Sequence, residues 1–346
     1  MDYKNFNERN QMKPEWLKLK VERRIEILKQ VSDMSGLPAD AVEKDWWVTF
    51  ALKACFELPC AEHLVFKGGT SLSKAWNLIE RFSEDIDLVI DRKFLGFEGE
   101  LSKTQIGKLR KKSCEYISND FVTALQKKFK EYETDSESKI AVQPADMPDK
   151  DPQVIEVHYH SAFESSAYLK QQVLIEIGAR SLTEPRSNKE INSIISSTIA
   201  KQLYSGKPFL VPTVEPHRTF LEKIFLLHEE FSLPQEKIRV ERLSRHLYDL
   251  EKLMDTEHGQ KALGDFDLFM SIVRHREKYT PIRQLDYSTH TPDRISIIPP
   301  AIVIEAWEKD YKAMTGYMIY GEAKKFEVLI KRIEVLQERV RNIKTK

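Results

Sequence analysis

Two aspartates, Asp85 and Asp87, open an otherwise apolar run that continues through Leu88, Val89 and Ile90. Residues two apart in a β-strand point to the same face, so this strand lays two carboxylates side by side. They repel each other and resist burial. A hard divalent cation resolves the conflict, because Mg²⁺ prefers oxygen ligands. The alternative is a strand entrance where both groups are solvated or paired with Arg81, just upstream.

The segment before the strand weighs on that choice. Leu64-Val65-Phe66 runs into Lys67-Gly68-Gly69-Thr70-Ser71, and a helix-like stretch to Glu80 follows. Glycines between a strand and a helix let the backbone approach a phosphate closely. The helix N-terminus supplies free N–H donors, and Thr70 or Ser71 can add a hydroxyl. A Gly-Gly pair alone marks any turn; one helix ahead of Asp85 and Asp87 it favours a nucleotide–metal site. A third carboxylate would complete a two-metal centre for in-line phosphoryl displacement. Glu176 is the favoured candidate, within a run where Val173, Ile175 and Ile177 alternate with Leu174 and Glu176. Glu156, in Val154-Ile155-Glu156-Val157, is the second. Either can instead be an ordinary outward strand residue.

Two helical motifs lie downstream. Lys223 is set among Phe220, Leu221, Ile224 and Phe225, where an ammonium must snorkel, pair or bind an anion. Asp249 shares a helix face with Arg245 and His246 by its spacing. Taken alone, an interhelical salt bridge is the plainer explanation of both; beside a triphosphate site, Lys223 becomes a natural phosphate ligand.

The 346 residues carry 54 basic and 54 acidic side chains, and 41% are hydrophobic. That composition excludes a disordered chain and a protein that coats nucleic acid by bulk charge. Neutrality is nevertheless a sum of unlike parts. Residues 103–130 hold eight basic and two acidic groups, residues 131–156 the reverse, and residues 322–346 eight basic and four acidic. The basic half of this pair reads as helix; the acidic half, with Pro144, Pro148 and Pro152, reads as loop. Three cysteines without a CxxC pair, no signal-like start and no apolar span near membrane length predict a reduced cytoplasmic protein.

Residues 1–60 read as helices. Pro14 suits a first turn, Gly36 and Pro38 interrupt, and Asp40 with Glu43 resembles a capping box before Trp46 and Trp47. Residues 61–205 read as an α/β core with a charged insert at 95–155, and residues 206–346 as a helical domain with the lysine and aspartate motifs. Its expected helices are 215–231, 240–254, 265–278, 301–314 and 322–343. The last carries Phe326, Leu329, Ile333, Leu336 and Val340 at helical spacing.

Lys67-Gly68-Gly69-Thr70-Ser71-Leu72 followed by Arg81-Phe82-Ser83-Glu84-Asp85-Ile86-Asp87-Leu88 resembles the first motif of the AbiEii/AbiGii toxin family, in the DNA polymerase β-like nucleotidyltransferase superfamily. The likeness extends to Val42-Glu43-Lys44-Asp45-Trp46-Trp47, Ile175-Glu176-Ile177, Arg218 to Lys223, Arg245 to Leu250, and Trp307 to Phe326. Lys74 departs from the pattern, where an apolar residue or arginine is expected, and the insert at 95–155 does not align. The resemblance implies an α+β fold: a polymerase β-like mixed sheet with flanking helices, then a mainly α-helical C-terminal domain. It implies Mg²⁺, with Mn²⁺ as an alternative, on Asp85, Asp87 and Glu176. It also implies an NTP held by Lys67, Gly68, Gly69, Thr70, Ser71 and Lys223, with Arg81 and Ser83 in support, and Asp249 as a further active-site residue. By the same likeness the chain is a monomeric toxin that transfers nucleotides to an RNA 3′ end, with tRNA the first candidate, and a cognate antitoxin is encoded nearby. Competing readings are an enzyme that nucleotidylates protein or a small molecule, and a silent NTP- or RNA-binding module.

Overall fold

The structure, a computed structural model, describes residues 13–144, 150–164 and 169–343. Part of the acidic half with Pro148, the first twelve residues and the last three lie outside the described residues.

Three helices precede the sheet: α1 (Glu15–Lys18), α2 (Val21–Ser35) and α3 (Ala39–Cys55). Next come β1 (Leu64–Lys67), α4 (Gly68–Lys74) and β2 (Asp85–Ile90). The insert supplies α5 (Lys103–Tyr116) and α6 (Val122–Glu131), then β3 (Ser138–Val142), β4 (Gln153–Tyr159) and β5 (Gln172–Gly178). After β6 (Arg186–Ile191), α7 (Ile194–Thr198) and β7 (Phe209–Val214) the chain turns helical. That region holds α8 (Pro216–Phe231), α9 (Arg245–Leu253), α10 (Glu257–Gly264), α11 (Phe266–Tyr279), α12 (Ile304–Tyr317) and α13 (Phe326–Arg341).

The strands form one seven-stranded mixed sheet in the order β3-β4-β5-β2-β1-β7-β6. β2 is parallel to β5 and β1 to β7, while the other neighbours are antiparallel. The α+β architecture expected from the sequence is therefore what the chain adopts. One face of the central strands is apolar: Phe66, Ile86, Leu88, Ile175 and Ile177 are buried, with Ile155 of the neighbouring β4. α3 and α6 cover it. Trp47 stacks on Tyr159 at 5.1 Å, and Phe50 meets Phe129 edge-on at 5.1 Å. The stripe of α13 is buried as its spacing predicts.

α3 is buried almost all round, and its three consecutive charged residues each pin a different segment. Glu43 accepts from Ser161 Oγ and the Ala162 N–H beyond β4. Lys44 pairs with Glu84, immediately before β2, and also donates to the Lys170 carbonyl. Asp45 takes Lys74 at 2.6 Å and the Ile194 N–H at 2.7 Å. The departure at Lys74 is thus matched by a buried partner on α3.

Several local expectations change. The capping box does not form, because the buried Glu43 turns to the loop after β4 and Pro38 is the N-cap residue. The acidic half is not all loop: β3 and the start of β4 lie in it, where Ile140 is buried. The stretch after the Gly-Gly turn stays helical only to Lys74, and Asn77 takes a left-handed φ of 52°. The expected helix at 240–254 begins at Arg245, because Asp310 of α12 accepts from the Arg242 and Ser244 N–H groups and holds that turn outside the helix. β7 continues the sheet beyond residue 205 before the helices begin.

Candidate active site

Register assembles the carboxylates. Asp87 stands opposite Glu176 on β5 and opposite Lys67 on β1. Asp85, two residues earlier, faces the same way beside Leu174. Because the apolar face of these strands is packed under α3, the carboxylates occupy the other one. Glu156 is also beside Leu174, but on β4, two strands and about 10 Å from β2. There it meets His158 at 2.9 Å. Glu176, not Glu156, therefore adjoins Asp87.

Their charges act on one another. Burial, then the charge of Asp87, pushes Asp85 up to about 6, while Arg245 of α9 and Lys44 oppose it. Burial and Asp87 likewise raise Glu176, against Lys67 and Arg245. An all-oxygen, half-buried, self-repelling donor set fits a hard divalent cation of the Mg²⁺ type. Stability should follow. A raised carboxyl favours folding below the unfolded value near 3.8, and the advantage is lost as pH rises through about 6. Asp85→Asn is therefore expected to stabilise the cation-free protein at pH 7 by on the order of 2 kcal/mol, with the difference closing below pH 4. Thermal melts in EDTA across pH measure this; equal melting temperatures at pH 7 would contradict it.

The glycines are required by what presses on them. Gly68 has φ +79°, and a Cβ there would meet Asp87 Oδ2 at 1.9 Å. At Gly69 a Cβ would meet Arg81 Nη2 at 2.7 Å. Thr70 and Ser71 are buried with their hydroxyls turned inward. Thr70 Oγ1 lies 2.7 Å from Ser83 Oγ and donates to the Asp85 carbonyl, while Ser71 Oγ donates to the Gly68 carbonyl at 2.8 Å. Thr70 bolts the turn to β2 and Ser71 closes the turn on itself, so the donors it can offer an anion are N–H groups of the first helical turn, which have no intrahelical acceptor.

Arg81 turns away from Asp85 and Asp87. It makes a two-pronged contact with buried Asp249, Nε to Oδ1 at 2.6 Å and Nη2 to Oδ2 at 2.8 Å. Lys223 of α8 reaches the same carboxylate at 2.8 Å and His246 Nδ1 at 3.3 Å. Burial alone would raise the Asp249 carboxyl; Arg81 and Lys223 overcome this and hold it well below the usual carboxylate range. The interhelical bridge considered for Lys223 and Asp249 is present, and through Arg81 it also reaches the Gly-Gly turn. Segment 80–82 is fixed from the C-terminal side as well: Phe82 N–H donates to the Met318 carbonyl at 2.6 Å and Tyr320 N–H to that of Glu80 at 3.1 Å.

Sequence reasoning does not single out Lys44, Arg245 or Arg180 as site residues. Arg245 leaves a trace in its spacing from Asp249. Lys44 is hidden in an apolar helix. Arg180, two residues beyond β5, contacts Asp151 at 2.7 Å in a pairing that no local pattern announces.

A paired Asp-x-Asp strand, a glycine turn pressed against it and a buried lysine on a following helix are parts of a nucleotide-transfer site. Among the curated proteins none matches this sequence. The family model of the nucleotidyl transferase AbiEii toxin, of type IV toxin–antitoxin systems, matches residues 51–336. That span takes in the sheet, the glycine turn, the three carboxylates and the Lys223–Asp249 pair. With most of its length matched and this site inside the match, the chain belongs to the AbiEii family of nucleotidyl transferase toxins.

Proposed function

We propose that this nucleotidyltransferase moves nucleotides from an NTP to the 3′ end of an RNA, with tRNA the favoured class, at a Mg²⁺ centre held by Asp85, Asp87 and Glu176. The observation that carries the RNA reading is a groove of about 840 Å³ between α5 and the end of α11. Lys103, Arg110, Arg180 and Lys278 line it against a single acidic residue, Glu277. Arg180 and Thr280 are also walls of the cleft that contains Lys67, Asp87 and Glu176. A phosphate backbone lying in this groove would deliver its end to the carboxylates, and the local charge replaces the bulk charge that the chain lacks.

The NTP triphosphate meets Lys67 and the backbone N–H groups of Gly68, Gly69, Thr70 and Ser71. Lys223 is oriented for a phosphate by Asp249, and Arg81 and Ser83 brace the turn. The 3′-hydroxyl of the RNA attacks the α-phosphorus, its proton passes to a carboxylate of Asp85, Asp87 or Glu176, and pyrophosphate leaves. The chemistry supplied by the bound cation is neutralisation of phosphate charge and a lower pKa for the attacking hydroxyl. The reaction would silence translation unless a cognate antitoxin, encoded nearby, relieves it.

Incubation with labelled NTPs, Mg²⁺ and total RNA is expected to label a tRNA-sized band. The double variant Lys103→Glu/Lys278→Glu is expected to raise KM for RNA about tenfold and to leave NTP binding unchanged. Label on protein instead of RNA, or an unchanged KM, would sink the RNA reading.

A further inference from the structure

The helix that carries Lys223 begins at a cluster belonging to neither the carboxylate centre nor the RNA groove. Glu215, the N-cap residue of α8, His217 in its first turn and His258 of α10 bring one donor atom each to within 4.8 Å of one another. His217 is 2% exposed, and its Nδ1 is buried without a hydrogen-bond partner, 4.0 Å from Glu215 Oε2. Leaving a buried ring nitrogen unsatisfied is unfavourable, so such an atom points to a ligand.

The surroundings hold these groups in place. Glu215 N–H donates to the Pro185 carbonyl at 2.9 Å, fixing the β7–α8 corner. Trp76 packs edge-on against the His258 ring at 5.4 Å and donates its indole N–H to the Val214 carbonyl at 3.2 Å. The corner, α8 and α10 thus hold the three side chains together.

We propose that Glu215, His217 and His258 bind a Zn²⁺-class transition-metal ion that ties the end of β7 to α8 and α10. Two imidazoles and a carboxylate are Zn²⁺ ligands, and a tetrahedral ion with bonds near 2.1 Å needs donors about 3.4 Å apart. The donors lie within 4.8 Å of one another, so binding the ion draws them together by about 1 Å. Mg²⁺ prefers an all-oxygen shell, so this site and the Asp85–Asp87–Glu176 centre select different ions. Its place at the start of α8 gives the ion a structural role: it sets the angle at which Lys223, six residues on and about 9 Å along the helix, meets Asp249.

The full-length protein, stripped with chelator and titrated with Zn²⁺, is expected to bind one ion per chain with a rise in melting temperature, and Co²⁺ in its place should give tetrahedral ligand-field bands. His258→Ala should weaken Zn²⁺ binding at least about 100-fold. Glu215→Gln, which keeps the corner's backbone contacts, is the second variant and should weaken it as well. Asp87→Asn should leave Zn²⁺ binding unchanged, which separates this site from the catalytic centre. The proposal is overturned if the wild type takes up no stoichiometric Zn²⁺, if both ligand variants retain wild-type affinity, or if Asp87→Asn abolishes the binding.

Discussion

Asp87→Asn is expected to reduce nucleotide transfer by at least about 1,000-fold while the protein stays folded. The reason is positional. Asp87 stands between Lys67 and Glu176 in the sheet register, and Gly68 lies directly against its carboxylate. Asparagine keeps the shape, so the sheet and the turn remain in place. What is lost is the negative charge that a divalent cation needs, at the point where three strands bring their polar residues together. Transfer of labelled nucleotide at saturating NTP measures the loss, and circular dichroism verifies the fold. Growth arrest on expression should vanish in parallel; a variant that remained fully toxic would show that the chemistry lies elsewhere.

Asp249→Ala should act through stability as well as activity. The Asp249 side chain is fully buried and neutralises two cations, Arg81 and Lys223, that are themselves almost wholly buried. Removing the shared anion leaves both charges without compensation in a low-dielectric interior, a change worth about 3–5 kcal/mol. Urea unfolding is expected to show a loss of that order, and activity should fall too, since Arg81 presses on Gly69. The shape-preserving Asp249→Asn keeps one acceptor and should lose less stability. A loss below about 1 kcal/mol for the alanine variant would mean that the cations find other partners and that the pair does not brace the site.

Much of this site is legible in the amino-acid sequence, and the exceptions have physical causes. The Asp85–Asp87 pair, the glycine turn and the alternation around Glu176 are local patterns whose geometry depends on one strand or one turn. β6 and β7 escape such patterns for a different reason. Arg186–Ile191 is an edge strand with polar side chains on both faces, and Phe209–Val214 contains Pro212, which weakens any strand pattern. Their strand character comes from pairing with each other and with β1. β3 is masked by the charge of its surroundings, since only Ile140 among its residues is buried. The capping-box reading of Asp40 and Glu43 does not hold because a segment more than a hundred residues away offers Glu43 better partners.

The sequence by itself determined which groups lie side by side on one strand. Residues two apart on a strand share a face in any fold, so Asp85 and Asp87 had to lie together. Only the tertiary structure decided the partners: Glu176 over Glu156, Asp249 for Arg81, Glu84 for Lys44 and Asp45 for Lys74. Each choice joins residues on separate elements. Each is settled by strand register or helix packing and enforced because a charge taken out of water must find a counter-charge where the fold places it.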